Sequence, residues 1–282
     1  MGKRIGLESV HAADGNLDPS GEHESGAQIL SEEDESMSQI MAKKSSNLTV
    51  DAVRPAVMMA KTYFQRREDY RKEAKFAVAR YIVQKFLQEG DSILLDAGTS
   101  LYPIAEEIVA GARQSPEHSH FTIMTHNYKA FQILVDVPTD ANLNIVLAGG
   151  RYDKDLNALF GPQTTMAYSE FFPKVVLIGI SAMNATQGLF CHGNTEELDV
   201  KKLIFKKPCG KRIIVADYTK LGTYDSLCFG RSEDMLTNTE SCIVIIDTPN
   251  SDASSRTKEK YQSEIERLHA RGIDVEQIGI NK

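Results

Sequence analysis

The run Ser92-Ile93-Leu94-Leu95-Asp96-Ala97-Gly98-Thr99-Ser100-Leu101-Tyr102-Pro103-Ile104-Ala105 decides the fold. An apolar stretch ends in a carboxylate, and a small turn with one glycine and two hydroxyls follows. A helical pattern then begins, with Ile104, Ala105 and Ile108 on one face. A strand feeding such a turn at a helix start makes an anion site, because the first backbone N–H groups of a helix lack partners and its dipole puts partial positive charge there. Gly98 lets a ligand approach the backbone. Thr99 and Ser100 either cap the helix or donate to a phosphate oxygen. Asp96 stands at the strand's carboxyl end, where open α/β sheets place ligand-binding groups.

Outward from that run, strands and helices alternate. The apolar strand candidates are Ile93–Leu95, Phe121–Thr125, Leu143–Leu147, Val175–Ile180, Arg212–Asp217, Leu227–Phe229, Cys242–Asp247 and Val275–Ile280. Helical patterns fall near Pro103–Ala112, Tyr128–Val135, Pro162–Phe171, Glu196–Phe205 and Lys258–Arg271. Continuous apolar strands between amphipathic helices predict an α/β fold, a mostly parallel sheet covered on both faces. Upstream, the spacing of Ala74, Ala77, Val78, Tyr81, Ile82, Lys85 and Phe86 predicts one long helix over 69–88, ended by Gly90. A shorter helix is expected over 49–62, with Pro55 in its first turn.

The net charge of −7 is concentrated at one end. Residues 1–41 hold nine acids and two bases, and the rest of the chain is neutral. Residues 1–48 are poor in aromatics and are expected to be a disordered acidic tail. The predicted organisation is therefore a tail over 1–48, a helical linker over 49–68 and one domain over 69–282. A neutral body with an acidic tail has no basic footprint for nucleic acid. No apolar run is long enough for a membrane helix and no signal-peptide core is visible, so a cytoplasmic protein is expected. Cys191, Cys209, Cys228 and Cys242 form no CxxC pair and read as reduced core thiols. Nothing near Cys191-His192 completes a metal set, so no metal is expected.

Right-handed crossovers gather the strand ends along one edge. Asp96, Gly98, Thr99 and Ser100 follow the first strand. Thr125, His126 and Asn127 follow the second, and Gly149, Gly150 and Arg151 the third. Gly179, Ser181, Gly188, Asp217, Lys220 and Gly222 follow later ones. Hydroxyls and amides suit a polyhydroxy ligand, and backbone N–H groups with Lys220 suit a phosphate.

These blocks, in this order, resemble the C-terminal effector-binding domain of the DeoR family of bacterial transcription regulators. The matching residues are Leu95-Asp96-Ala97-Gly98-Thr99-Ser100, Thr125-His126-Asn127, Gly149-Gly150, Gly161, Ile178-Gly179, Gly188-Leu189, Glu197 with Lys201 and Lys202, and Asp217-Tyr218-Thr219-Lys220-Leu221-Gly222. The likeness runs over roughly residues 64–247, and it is the ordered series that is specific. It implies a fold like that of ribose-5-phosphate isomerase, glucosamine-6-phosphate deaminase and CoA transferases. It also implies a phosphorylated sugar or related metabolite as ligand, no cofactor, and a homo-oligomer. By resemblance Gly98, Thr99 and Ser100 hold the phosphate, while Asp96, Thr125, Asn127, Gly149, Gly150, Glu197 and Lys220 line the rest of the site.

Two departures bear on function. The Thr-Asn pair of the family reads Thr125-His126-Asn127 here, so either His126 or Asn127 fills that role. The family's winged helix-turn-helix belongs in about the first sixty residues, which here are acidic and show no paired-helix pattern. Direct DNA binding is therefore not expected. The alternative is a sugar-phosphate isomerase or deaminase, with Glu197, Asp217 and Lys220 as catalytic groups; Glu196 and Asp96 are further candidate bases. A third reading is a scaffold whose pocket is vestigial.

Overall fold

A computed structural model describes residues 61–138, 141–192 and 194–280. The tail expected over 1–48 and nearly all of the helix expected over 49–62 lie outside the described residues. Lys61 and Thr62 are described and are not helical.

The helix expected over 69–88 is α2 (Lys72–Phe86), and a separate short helix, α1 (Tyr63–Asp69), precedes it in the stretch expected as linker. They break at Arg71, which is left-handed at φ 54°. The guanidinium of Arg71 is drawn away from the helix, pairing with Asp247 and lying 4.1 Å from the centre of the Tyr218 ring. Thr62 caps α1 in a reciprocal box with Gln65.

The main sheet has seven parallel strands. Its order is β12 (Asp274–Ile278), β11 (Thr239–Asp247), β9 (Cys209–Ala216), β6 (Val175–Gly179), β1 (Ser92–Leu95), β2 (Phe121–Thr125) and β3 (Leu143–Leu147). Side chains alternate between two cores. Leu94, Val176, Ile178, Ile214, Val244 and Ile246 face one; Ile93, Leu95, Val175, Leu177, Ile213, Val215, Ile243 and Ile245 face the other. That is why the central strands read as unbroken apolar runs. Each such side chain contributes about 1.5–3 kcal/mol on burial.

Helices α1, α2, α3 (Tyr102–Gln114) and α4 (Tyr128–Leu134) cover the second core. Helices α5 (Pro162–Glu170), α6 (Thr195–Lys206) and α7 (Ser255–His269) cover the first. Among the described residues no helix is long and apolar enough to cross a membrane.

Leu227–Phe229 is a strand, but not of this sheet. It belongs to β10 (Leu227–Arg231), which pairs antiparallel with β8 (Gly188–Cys191), itself paired with β7 (Ala182–Asn184). A further hairpin joins β4 (Arg151–Asp153) and β5 (Ala158–Phe160). The periodicity misses β4, β5, β7 and β8 because three or four residues are too few to establish alternation. At Gly188, φ is +131° and a Cβ would strike the carbonyl of Gly230, so the β8–β10 pairing requires glycine there.

Candidate functional site

The carboxyl ends of the parallel strands open on one edge, and the loop after β1 sits near its middle. Gly98 has φ +123° with open space where a Cβ would stand; backbone conformation is what selects glycine here. Thr99 and Ser100 do not cap α3. The N-cap is Leu101, which makes no side-chain cap bond, and Pro103 occupies the first turn. Among the described residues, none accepts a hydrogen bond from the backbone N–H of Gly98, Thr99 or Ser100.

The two hydroxyls meet two lysines instead. Lys75 Nζ donates to Thr99 Oγ1 at 3.0 Å and also to the carbonyl of Arg67. Lys220 Nζ donates to Ser100 Oγ at 3.2 Å and stands 3.5 Å from Asp217. Both lysines are buried. Burial, with Lys220 as a like-charged neighbour, pushes the Lys75 ammonium down to about 8. Burial likewise lowers the Lys220 value, although Asp217 opposes it. The Asp217 carboxyl is held below the usual range by Lys220 and Thr219 against the effect of its burial.

Above the loop is a cavity that opens to solvent. Gly98, Thr99, Ser100 and Lys220 form one part of its wall and Glu197 another. Phe160, Leu156 and Ile180 add apolar surface. Asn194 caps α6, accepting from the N–H groups of Glu196 and Glu197, and so fixes Glu197 in the first turn. One oxygen of Glu197 is 3.9 Å from Lys201; the other is buried with no hydrogen-bond partner. Burial pushes its carboxyl up to about 7.

Asp96 lies under the loop rather than in the cavity wall. It is fully buried, receives Lys201 Nζ at 2.5 Å and the N–H of Gly179 at 3.0 Å, and bonds the N–H of Ala97 at 2.8 Å. Lys201 also donates to the Gly179 carbonyl at 2.8 Å. This buried pair ties β1, β6 and α6 together. Where β6 meets the loop, a Cβ at Gly179 would come 2.8 Å from the Leu101 side chain and 3.3 Å from the Ala97 carbonyl, so a larger residue would push on the loop.

Other expected site residues also stand behind the wall. Thr125 donates to the Leu95 carbonyl at 2.7 Å. Asn127 caps α4 and donates to the Gly98 carbonyl at 3.2 Å, so it braces the loop from behind. Gly149 and Gly150 form a tight turn against β5 and α5. Thr164 donates to the Gly149 carbonyl, and a Cβ at Gly150 would clash with Phe160 and Thr164. Arg151 pairs with Glu196 away from the cavity. His126, which the sequence offered for the role of the family's Asn, is buried 2.7 Å from the Tyr168 hydroxyl and 3.6 Å from Asp96. Burial lowers it to about 4, so it is neutral at physiological pH.

Sequence reasoning missed Tyr63, Phe64 and Arg67 of α1, which line the cavity from upstream, and His192, whose ring stacks on Tyr63 at 4.9 Å. Lys75 carried a readable signal. It lies on the buried stripe of α2 with Ala74, Val78, Ala79, Ile82 and Phe86, where an unpaired lysine is costly. Lys85, assigned to that stripe by spacing, instead pairs with Glu276 at the surface.

Among known proteins, the chain is 21% identical over 169 residues to the transcriptional repressor AccR of Agrobacterium fabrum, covering 60% of this chain and 61% of that one. It thus spans about three fifths of that repressor's length. A ribose 5-phosphate isomerase A structure from Methanocaldococcus jannaschii matches at 14% identity and a TM-score of 0.37, covering 53% of this chain and 54% of that one. A DeoR family transcriptional regulator from Listeria monocytogenes matches at 15% identity and a TM-score of 0.32, over 74% and 85% of the two chains. Residues 71–246 match the model of the DeoR C terminal sensor domain, and over that span, more than half of its length, the chain belongs to this family.

Proposed function

We propose that this sensor domain binds a phosphorylated sugar, with the phosphate on the Gly98–Ser100 loop and the sugar toward Glu197. One observation carries the reading. Two buried ammoniums converge on the hydroxyls of a loop whose own backbone N–H groups are unused, at a cavity wall. Two like charges in a low-dielectric place call for an anion. Loop amides and hydroxyls add the directed donors that a phosphate accepts. The Glu197 oxygen without a partner then meets a sugar hydroxyl, and the apolar residues pack on the carbon skeleton.

A second reading, aldose–ketose isomerisation, is favoured by Glu197 alone. A carboxylate near 7 beside a polar cavity suits proton transfer. We assign the role of sensing because the family does so and because the nearest cation to Glu197, Lys201, is committed to Asp96.

Thermal-shift screening of phosphorylated sugars, each beside its unphosphorylated parent, tests the proposal. Stabilisation by one or a few esters, none by the parents and no turnover is the expected result. Replacing Thr99 by Leu should abolish the shift in a folded protein. An unchanged shift in that variant contradicts the assigned loop, and ester consumption assigns an enzyme. A gel shift of the full chain at physiological salt should show no specific DNA complex.

A further inference from the structure

We propose that α1 is a ligand-dependent clasp: an anion on the Gly98–Ser100 loop is held by Arg67 and Lys75 as well as Lys220, and holding it fastens α1 over the cavity. The inference rests on the reading of the loop as an anion site and goes beyond it by naming two further binding residues and what their engagement does.

The attachment of α1 is slight. The helix has seven residues, and Phe64 is its one buried member. Its other ties are polar or at the edge of rings: the N–H of Phe64 to the Asp155 carbonyl at 2.8 Å, the Tyr63–His192 stack, the bond from Lys75 to the Arg67 carbonyl, and Glu68, which meets the Tyr102 hydroxyl and stands 3.9 Å from Lys129. Segments with so few buried contacts open locally at low free-energy cost. Yet α1 supplies Tyr63, Phe64 and Arg67 to the cavity wall, so an occupant touches it directly.

Lys75 is the joint between helix and loop. Its ammonium has three N–H groups; one meets Thr99 Oγ1 and one the last-turn carbonyl of Arg67. Arg67 is close enough to act electrostatically on Lys75, Lys220 and Asp217 alike. Three cations thus surround the loop, with Asp217 as the nearest compensating carboxylate. Their mutual repulsion disfavours the docked arrangement of α1 and α2 against the loop. An anion in the centre reverses the sign of that interaction, and every gain in affinity from Arg67 is a gain in α1 docking by linkage. Because α1 joins residues 1–60 to the domain, its docking state is a signal carried at that junction.

Hydrogen exchange of the full chain, with and without saturating inorganic phosphate at matched ionic strength in chloride, tests this. Exchange of the amides over 63–70 should slow by about fivefold or more, the lower end of ordinary coupling. Loop amides over 98–100 should slow with them. In Lys75→Met and, separately, Arg67→Ala, phosphate should bind more weakly and still protect the loop, while α1 protection disappears. Protection of the loop with no change over 63–70, or α1 protection that survives both substitutions, overturns the clasp and leaves the anion site standing. Absence of any change at the loop overturns the anion site and the clasp together.

Discussion

The two sides of the Asp96–Leu101 loop use the same chemistry to opposite ends. Below it, Lys201 and Asp96 form a closed pair, with Gly179 supplying both a donor and an acceptor. Above it, Lys75 and Lys220 each meet one hydroxyl of the loop, with Asp217 beside Lys220 and Glu68 acting on Lys75 from farther off. Buried charge that is fully partnered holds a fold in one arrangement. Buried charge left short of partners costs stability, and it is what a ligand of opposite sign relieves. Burial and Coulomb effects separate the two lysines in the same way: Asp96 and Glu197 raise Lys201 despite its burial, while burial lowers Lys75. The lower side is structural and the upper side is receptive.

The sharpest way to break this contrast is on the structural side. Lys201→Met leaves Asp96 buried and unpaired, and it should destabilise the domain by about 3–5 kcal/mol in denaturant melts. Adding Asp96→Asn should recover much of that loss. Additive losses from the two substitutions would show that the pair does not act as a unit.

On the receptive side, Lys220→Met should weaken binding of a phosphorylated sugar by about 10- to 100-fold, as for one charge-assisted hydrogen bond. It also removes the cation 3.5 Å from Asp217, so the melt should fall, but by less than in Lys201→Met because Thr219 still donates to that carboxylate. If stability falls as far as it does in Lys201→Met, the two sides are not different in kind.

A smaller effect distinguishes Lys75. Its folded value of about 8 lies below its ordinary 10.5, so the unfolded chain binds more protons between those limits. Wild-type stability should therefore gain a contribution as pH rises from 8 to 10.5, and Lys75→Met should lack it. Glu197 has the opposite sign. Its value is raised from 4.5 to about 7, so the folded chain holds the extra proton and stability falls as pH rises between them. The melting temperature of Glu197→Gln relative to wild type should climb from pH 5 to pH 8. A difference independent of pH would mean that Glu197 is solvated.

The sequence legibly carried the sheet and the loop, because strands buried on both faces and a strand–Gly–hydroxyl–helix junction leave local signatures. Each of the seven parallel strands was visible as an apolar run. The hairpin strands were not, since β4, β5 and β7 have three residues each. Membership of the site divided along a physical line. Gly98, Thr99, Ser100, Glu197 and Lys220 reach the cavity wall, whereas Asp96, Thr125, Asn127, Gly149 and Gly150 share the motif blocks but brace the loop or turn the chain. A motif records that a residue type is needed at a place, not whether its side chain meets ligand or backbone. Lys75 left a signal, a lysine on an apolar helical stripe, but its partner on the loop, Thr99, is 24 residues away and no local pattern encodes that contact; its bond to the Arg67 carbonyl, eight residues back, spans the helix break at Arg71, whose guanidinium pairs with Asp247.

The most direct test of the receptive side is the affinity of wild type, from pH 7 to pH 9.5, for the phosphorylated sugar that gives the largest thermal shift. The ester is already a dianion over this range. Affinity should hold steady to about pH 8 and then weaken by about tenfold for each further pH unit as the Lys75 ammonium loses its proton. Lys75→Met should bind more weakly at pH 7 and show no break near 8. A wild-type affinity that is flat across the range, or a break that persists in Lys75→Met, would contradict an anion held by this lysine.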